Sequence, residues 1–500
     1  MRYFIVLLAL LSLSLLKAQN TIWSYHVTGS SSLHIRSIKS IPDVDEDDHP
    51  DVIASSENDT LYCLSGMSGT LIWRFVADPC YLERGLIAVP DLDGDSIWDV
   101  VLGTVWGTRS VFAISGVSGD TIWQYDTHEY GSGGWVYEVS LMADMDDDSI
   151  VDILASAGGP DATRAYLFSG ADGTKIWEYN AGYACFGVRE IGDITGDSIP
   201  DVAVSTGNSS STAYRVVFLN GVDGTEIRIV MLSTAGWTVV PISDISGDDV
   251  PDVACGLSGG DIHALSGADG SLLWTVSAGG MVVDLNLLPD VDSNGFPELL
   301  PSGTGMYNFF CIDAFSGSFV WTTPAIDQIF VSVAIPDING DGVNDVVGGT
   351  GFNTGYLYAL DGSIDSVFWQ RNMGSPIESA HWIDDIDGNG IPDILVGTRN
   401  GGIYAISDGD LRITETDVAA PHFDIMQSSF GRLEIVHDLP CGDVMDVSVY
   451  STAGQNVARV RVSTDDNHVT IPIPSVPAGV YFAKIDVDQF TAVCKCVILK

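Results

Sequence analysis

Most of the chain is built from short apolar runs separated by tight polar loops, and the same order of patterns keeps returning. An acidic loop leads into a β-branched run, as in "DVVLG" from Asp99. A variable stretch, a second apolar run, a Gly-rich turn and an alternating segment with a Trp follow. Runs this short, rich in Val and Ile and bounded by Gly and Pro, predict strands rather than helices. Because each unit supplies four of them, the repeat predicts a four-stranded antiparallel blade, and repetition predicts a ring of blades.

The acidic loop fixes the count. "DVDEDDHPD" begins at Asp43, "DLDGDSIWD" at Asp91, "DMDDDSIVD" at Asp144, "DITGDSIPD" at Asp193, "DISGDDVPD" at Asp244, "DVDSNGFPE" at Asp290, "DINGDGVND" at Asp337 and "DIDGNGIPD" at Asp385, at intervals of 46 to 53 residues. Eight copies predict eight blades. The eighth ends at "GGIYAISDGD" without its Trp segment, whereas "NTIWSYHV" carries Trp23 ahead of the first blade. Residues 21 to 26 are therefore expected to complete blade eight and join the ends of the ring, which removes two exposed sheet edges.

Loop positions 1, 3, 5 and 9 always bear side-chain oxygen. They are Asp43, Asp45, Asp47 and Asp51; Asp91, Asp93, Asp95 and Asp99; Asp144, Asp146, Asp148 and Asp152; and Asp193, Thr195, Asp197 and Asp201 in the first four copies. The other four have Asp244, Ser246, Asp248 and Asp252; Asp290, Asp292, Asn294 and Glu298; Asp337, Asn339, Asp341 and Asp345; and Asp385, Asp387, Asn389 and Asp393. Like charges this close need a counter-ion, and an all-oxygen set of flexible geometry, completed by a backbone carbonyl at Ile97 and its equivalents, suits calcium better than magnesium. Up to eight Ca2+ ions are expected. The EF-hand is excluded because position 12 holds no acid in any copy.

The Gly turns, such as "LSGMSGTLIW" and "ISGVSGDTIW", bring Trp73, Trp123, Trp177, Trp274, Trp321 and Trp369 into register, with Arg228 as the exception. A Trp recurring once per repeat is expected to pack between neighbouring blades. The "DxDGDxxxD" loops resemble the FG-GAP calcium repeats of integrin-type propellers, and the "SGxxGxxxW" turns resemble pyrroloquinoline-quinone-type propeller repeats, over roughly residues 21 to 410 of a propeller domain expected to span 19–410. The expected fold is all-β: an eight-bladed β-propeller with a small second domain.

Composition narrows the partners. Acidic residues outnumber basic ones 67 to 21, a formal net charge of -46, which argues against nucleic acid and anionic lipid. Residues 1–18, with Arg2 and an apolar run to Leu16, read as a secretory signal too short to span a membrane, and no transmembrane segment follows. Eight scattered cysteines do not make a disulfide framework. Cys441 with Cys494 or Cys496 is a candidate pair, the others reading as small buried hydrophobes.

Residues 411–424 read as a polar linker, and 425–500 as short alternating strands of an Ig-like β-sandwich. Through "VSVYSTAG", "VPAGVYFAKI" and the terminal "KCVILK", this segment resembles the C-terminal sorting domain of type IX secretion cargo. That resemblance implies the type IX machinery as a partner and secretion or outer-surface attachment in a Gram-negative bacterium.

The loops and Gly turns lie at one end of the blades, so the variable hairpins and blade-to-blade crossings share the opposite face, where ligand contacts are expected. Candidates there are Tyr81, Arg84, Trp106, Arg109, His128, Tyr130, Trp135, Arg164, Tyr183, Trp237, Tyr307 and Arg399. Aromatic rings with scattered Arg suit a glycan or a protein partner. The expected function is an extracellular binding or adhesion module. The competing reading is a lyase-type polysaccharide enzyme, with His128 or Arg189 as its base.

Overall fold

The computed structural model describes residues 20–29, 32–208 and 210–407, and strand residues between 423 and 498. The signal segment 1–18, Cys441 and most of the expected linker lie outside these residues. The chain divides into two compact units, Met1–Asp410 and Leu411–Lys500.

The first unit is the expected ring: eight four-stranded antiparallel sheets. With strands lettered A to D in blade order, blade 1 comprises Ile35–Ile41, Asp51–Ser56, Thr60–Leu64 and Leu71–Val76. Blades 2 to 7 begin at Leu86, Trp135, Ala184, Gly236, Met281 and Ile329. Blade 8 takes Ile377–Ile383, Asp393–Thr398 and Gly402–Ser407 from one end of the propeller and Asn20–His26 from the other. The A strands of neighbouring blades adjoin one another around the centre.

Burial follows the sheet order. The B strands are almost wholly buried, and their apolar side chains form the cores between blades; D strands are half exposed apart from their Trp. Cys63, Cys80, Cys185, Cys255 and Cys311 are buried free thiols within those cores, as expected of small hydrophobes.

The repeat tryptophans join neighbouring blades. Trp73 Nε1 donates to the Gly116 carbonyl of the next blade at 2.6 Å, and Trp23, Trp123, Trp177, Trp274 and Trp321 make the matching bond at 2.6–3.0 Å. A second turn glycine lies against the rings of Trp23, Trp73, Trp123, Trp177 and Trp274. Gly119 has φ +73°, and a Cβ there would stand 2.8 Å from Trp73, so Gly meets both demands. Arg228 makes an equivalent latch by other means: Nη1 donates to Gly267 O at 2.8 Å and Nη2 to Ala268 O at 2.5 Å.

The second unit has a three-stranded sheet of Phe423–Met426, Arg432–His437 and His468–Pro472, and a four-stranded sheet built around Val444–Ser451 and Gly479–Val487. Leu433 and Ile435 from the first sheet share a core with Met445, Val447, Val449, Tyr481, Ala483 and Ile485 from the second, the layering of a sandwich. Its first strand starts at Phe423, so the expected linker overlaps the sandwich by two residues.

Candidate metal loops and the axial mouth

Each acidic loop is shaped by backbone. Positions 4 and 6 are left-handed throughout: Gly94 and Ser96 in blade 2 (φ +86° and +73°), Glu46 and Asp48 in blade 1 (+64° and +69°). These bends aim consecutive N–H groups at the position-1 carboxylate, making a nest. Asp91 Oδ1 accepts from Gly94 N at 2.6 Å and Oδ2 from Ser96 N at 2.7 Å. Desolvation raises the Asp193 and Asp244 carboxyls, but the backbone N–H groups outweigh it and hold both below the usual carboxylate range.

Position 9 opens strand B and is fully buried in every blade. Asp99 Oδ2 accepts from Leu92 N at 2.7 Å, and its Oδ1 accepts from Gly116 N of the Gly turn at 2.9 Å. Burial pushes these carboxyls up, aided by neighbouring loop acids and opposed by the two N–H bonds: to about 6 at Asp99 and Asp345, and about 7 at Asp51. Blade 6 departs from the pattern. Ala314 stands where the turns of blades 1 to 5 and 7 have Gly and gives its N–H to Pro297 O at 3.1 Å, while Glu298 Oε1 is buried without a hydrogen-bond partner, and burial pushes that carboxyl to about 8.

Positions 1, 3 and 9 converge. Ligand oxygens of Asp43, Asp45 and Asp51 lie within 4.8 Å of one another, as do those of Asp91, Asp93 and Asp99; Asp144, Asp146 and Asp152; Asp290, Asp292 and Glu298; and Asp385, Asp387 and Asp393. These five groups suit a hard divalent cation. Where position 3 is Thr or Ser, its hydroxyl turns to the position-1 carboxylate instead: Thr195 to Asp193 at 3.3 Å and Ser246 to Asp244 at 3.2 Å. Position 5, expected with the other three, stands outside these groups. It braces the loop: Asp95 Oδ1 accepts from Ile97 N at 2.8 Å, and Asn294 and Asn389 donate to Asp313 and Ser407 of the following turn.

At the other end of the ring, strand A contains a β-bulge in seven blades, each between the residues flanking one extra position. The extra residues are Arg36, Tyr137, Phe186, Trp237, Val283, Phe330 and Glu378. Arg84 occupies the corresponding place in blade 2, from the short turn Glu83–Gly85. A bulge re-aims a side chain out of the sheet pattern, and here the re-aimed residues meet around the axis. Phe186 stacks on Trp237 (4.3 Å between centroids, 10°), and Tyr137 packs on both. Glu378 pairs with Arg36 at 3.1 Å. Arg84 reaches across the ring to the Trp237 carbonyl at 3.0 Å and to Asp284 of blade 6 at 3.5 Å. Glu138, fully buried, faces both Arg84 at 3.8 Å and Arg189 at 2.6 Å. A cavity of about 70 Å³ between Arg36, Glu83, Val283, Asp284, Phe330 and Glu378 forms the floor of this mouth.

Of the twelve expected ligand-face residues, Arg84 and Trp237 belong to this inner ring. Tyr81 and Trp135 extend its aromatic side, 5.6 Å apart, and Arg399 pairs with Glu378 at 2.5 Å. The others lie farther out. Arg164 covers the Tyr130 ring at 3.5 Å, Tyr183 lies under Arg215, Arg109 donates to Trp106 O, His128 pairs with Asp126 at 2.7 Å, and Tyr307 is exposed. Arg36, Tyr137, Phe330 and Glu378 were not legible as a set. Their sequence signal is the lone charge or ring five residues before the last residue of strand A, visible only once the bulges align the blades.

Comparison with known proteins agrees with both units. Residues 18–252 match the family model of outer membrane protein assembly factor BamB, and residues 430–499 match the secretion system C-terminal sorting domain. No curated protein sequence matches the chain. Among solved structures, BamB from Moraxella catarrhalis aligns at 12% identity over 78% of this chain and 100% of its own, with a TM-score of 0.50. Saccharomyces cerevisiae Sqt1 aligns at 10% over 78% and 98%, TM-score 0.57, and the quinohemoprotein alcohol dehydrogenase of Comamonas testosteroni at 13% over 82% and 79%, TM-score 0.52. At such identities the likeness is one of fold. The chain thus carries pyrroloquinoline-quinone-like propeller repeats and a type IX sorting domain, and is secreted or attached to the cell surface. No helix among the described residues is long and apolar enough to cross a membrane.

Proposed function

We propose that this protein is a calcium-stabilised propeller that serves outside the cell as a binding or adhesion module, engaging a glycan or protein partner through the axial mouth. The observation that carries the reading is the ring of bulged residues. One extra residue in each of seven blades departs from the repeat, and together with Arg84 of blade 2 they gather the stacked pair Phe186–Trp237, Tyr137 edge-on to both, and the Arg36–Glu378 ion pair. Aromatic and Arg anchors gathered at a concave centre are the composition of a recognition hot spot. Positions 1, 3 and 9 of the acidic loops would hold the ions, fixing the opposite end of each blade.

The lyase reading has less support. Arg189 is held against buried Glu138, and His128 lies on an outer turn with Asp126, so neither stands at the cavity as a free base. The test is to screen the mature protein on glycan and extracellular-protein arrays, alongside polygalacturonate with absorbance followed for unsaturated product. Binding that is lost in Tyr81→Ala/Trp135→Ala, with unchanged melting and no product, is the expected result. Turnover, or binding indifferent to these substitutions, overturns the reading.

A further inference from the structure

A repeat protein carries its own internal comparison, because each blade shows what the others would have at the same position. On the metal-loop face three departures from the repeat fall at one place. Position 8 of the acidic loop is Pro in five blades, yet blade 2 has Trp98, and its side chain is exposed. One residue before the end of strand A, blade 8 has Trp382, where no other blade carries an aromatic ring. Between them, the blade 1 loop has acids at both left-handed positions, Glu46 and Asp48, where Gly or Ser is more usual.

Trp98, Trp382 and Asp48 line one open depression of about 550 Å³, with the indoles as its walls and Asp43, Asp48, His49 and Asp384 among its polar groups. That volume falls within the roughly 300–1,000 Å³ of ordinary ligand clefts. Trp382 packs partly against the core between blades 7 and 8, and the His381 Nδ1 lies 2.7 Å from its backbone carbonyl. The structure assigns this depression, we propose, as a binding site for a neutral pyranose chain. A pyranose has an apolar face of C–H bonds and an edge of hydroxyl donors. Indoles match the face, and carboxylates, which only accept, match the edge. Charge selects among sugars: Asp48 and Asp384 face the depression on a chain whose net charge is -46, so a uronate or sulfated polymer is repelled and a neutral one is not. The site lies at the opposite end of the blades from the axial mouth, so it stands or falls separately from the proposed function.

The test uses the full mature chain in calcium-containing buffer, titrated with cellohexaose, laminarihexaose and mannohexaose by calorimetry and by Trp fluorescence, with polygalacturonate as the acidic control. At least one neutral hexasaccharide should bind and perturb indole emission. Trp98→Ala, an exposed change, should weaken it about tenfold or more, in the range of a hot-spot aromatic. Trp382→Ala and Asp384→Asn should weaken it as well, while Tyr81→Ala/Trp135→Ala leaves it unchanged. The assignment is wrong if none of the three sugars binds, if binding survives Trp98→Ala at an unchanged melting temperature, or if polygalacturonate competes for the same site.

Discussion

Ring closure by the N-terminal strand can be tested with one side chain. Asn20–His26 pairs with Gly402–Ser407, and Trp23 is 7% exposed, its Nε1 2.6 Å from the Gly66 carbonyl of blade 1. Trp23→Ala removes a buried aromatic, about 3–5 kcal/mol. Unfolding entropy of about 2.1 cal/mol/K per residue over about 390 propeller residues gives roughly 0.8 kcal/mol/K, so the melting temperature should fall by about 4–6 °C. Trp23→Phe keeps most of the apolar contact and leaves the Gly66 carbonyl without its donor, about 1–3 kcal/mol, for a fall of about 1–4 °C. Scanning calorimetry of the calcium-loaded mature protein reads both, with Trp98→Ala as an exposed control expected to melt like the parent. A Trp23→Ala protein melting within about 1 °C of the parent would refute closure through this contact.

Two further outcomes follow from the loops and latches. The position-9 carboxyls are raised in the folded protein, to about 6 at Asp99, about 7 at Asp51 and about 8 at Glu298, above the ordinary unfolded carboxylate value, so without metal they oppose folding at high pH and their protonation adds stability as pH falls through that range. In chelator the melting temperature should therefore rise from pH 8 to pH 5, whereas in excess calcium, which requires the ionised form, it should fall; parallel curves would count against metal at these loops. Arg228→Ala should lose about 2–3 kcal/mol with its two charged hydrogen bonds to Gly267 and Ala268, while Arg228→Trp should recover most of that loss; a Trp variant melting below the Ala variant would contradict the latch.

The ring was legible because its signals repeat. Eight acidic loops, the Gly turns and the displaced Trp23 each report a local requirement that recurs, so number, order and closure could be read from spacing alone. The axial mouth was not legible in the same way. Period-2 alternation assigns Tyr137 and Glu138 to opposite faces of a regular strand, and nothing in "WVYEVSLM" marks the register shift between Val136 and Glu138. Arg84 and Trp237 were singled out as unusual residues in crossings, but Arg36, Phe330 and Glu378 looked like ordinary strand-end residues. Position 5, an Asp or Asn in every copy, also accepts the backbone N–H of position 7, a bond the spacing alone does not reveal.

The loop, the turn and the tryptophan form one mechanical unit. Trp73 of blade 1 donates to Gly116 O of blade 2; Gly116 N donates to Asp99 Oδ1; Asp99 Oδ2 accepts from Leu92 N inside the acidic loop. Blade-to-blade contact therefore runs through a buried carboxylate whose charge is costly without a cation beside it. Gly116 leaves no slack, because a Cβ there would stand 1.9 Å from the Trp98 carbonyl, so the turn cannot retreat from the loop without breaking the latch. An ion held by positions 1, 3 and 9 would stabilise the anionic form of Asp99 and, through Gly116, the seam with the preceding blade. The same logic gives the Arg228 seam a distinct sensitivity. Its guanidinium makes two bonds where an indole makes one, so the latch at blade 5 should depend less on a cation beside Asp252, whose loop has Ser246 at position 3.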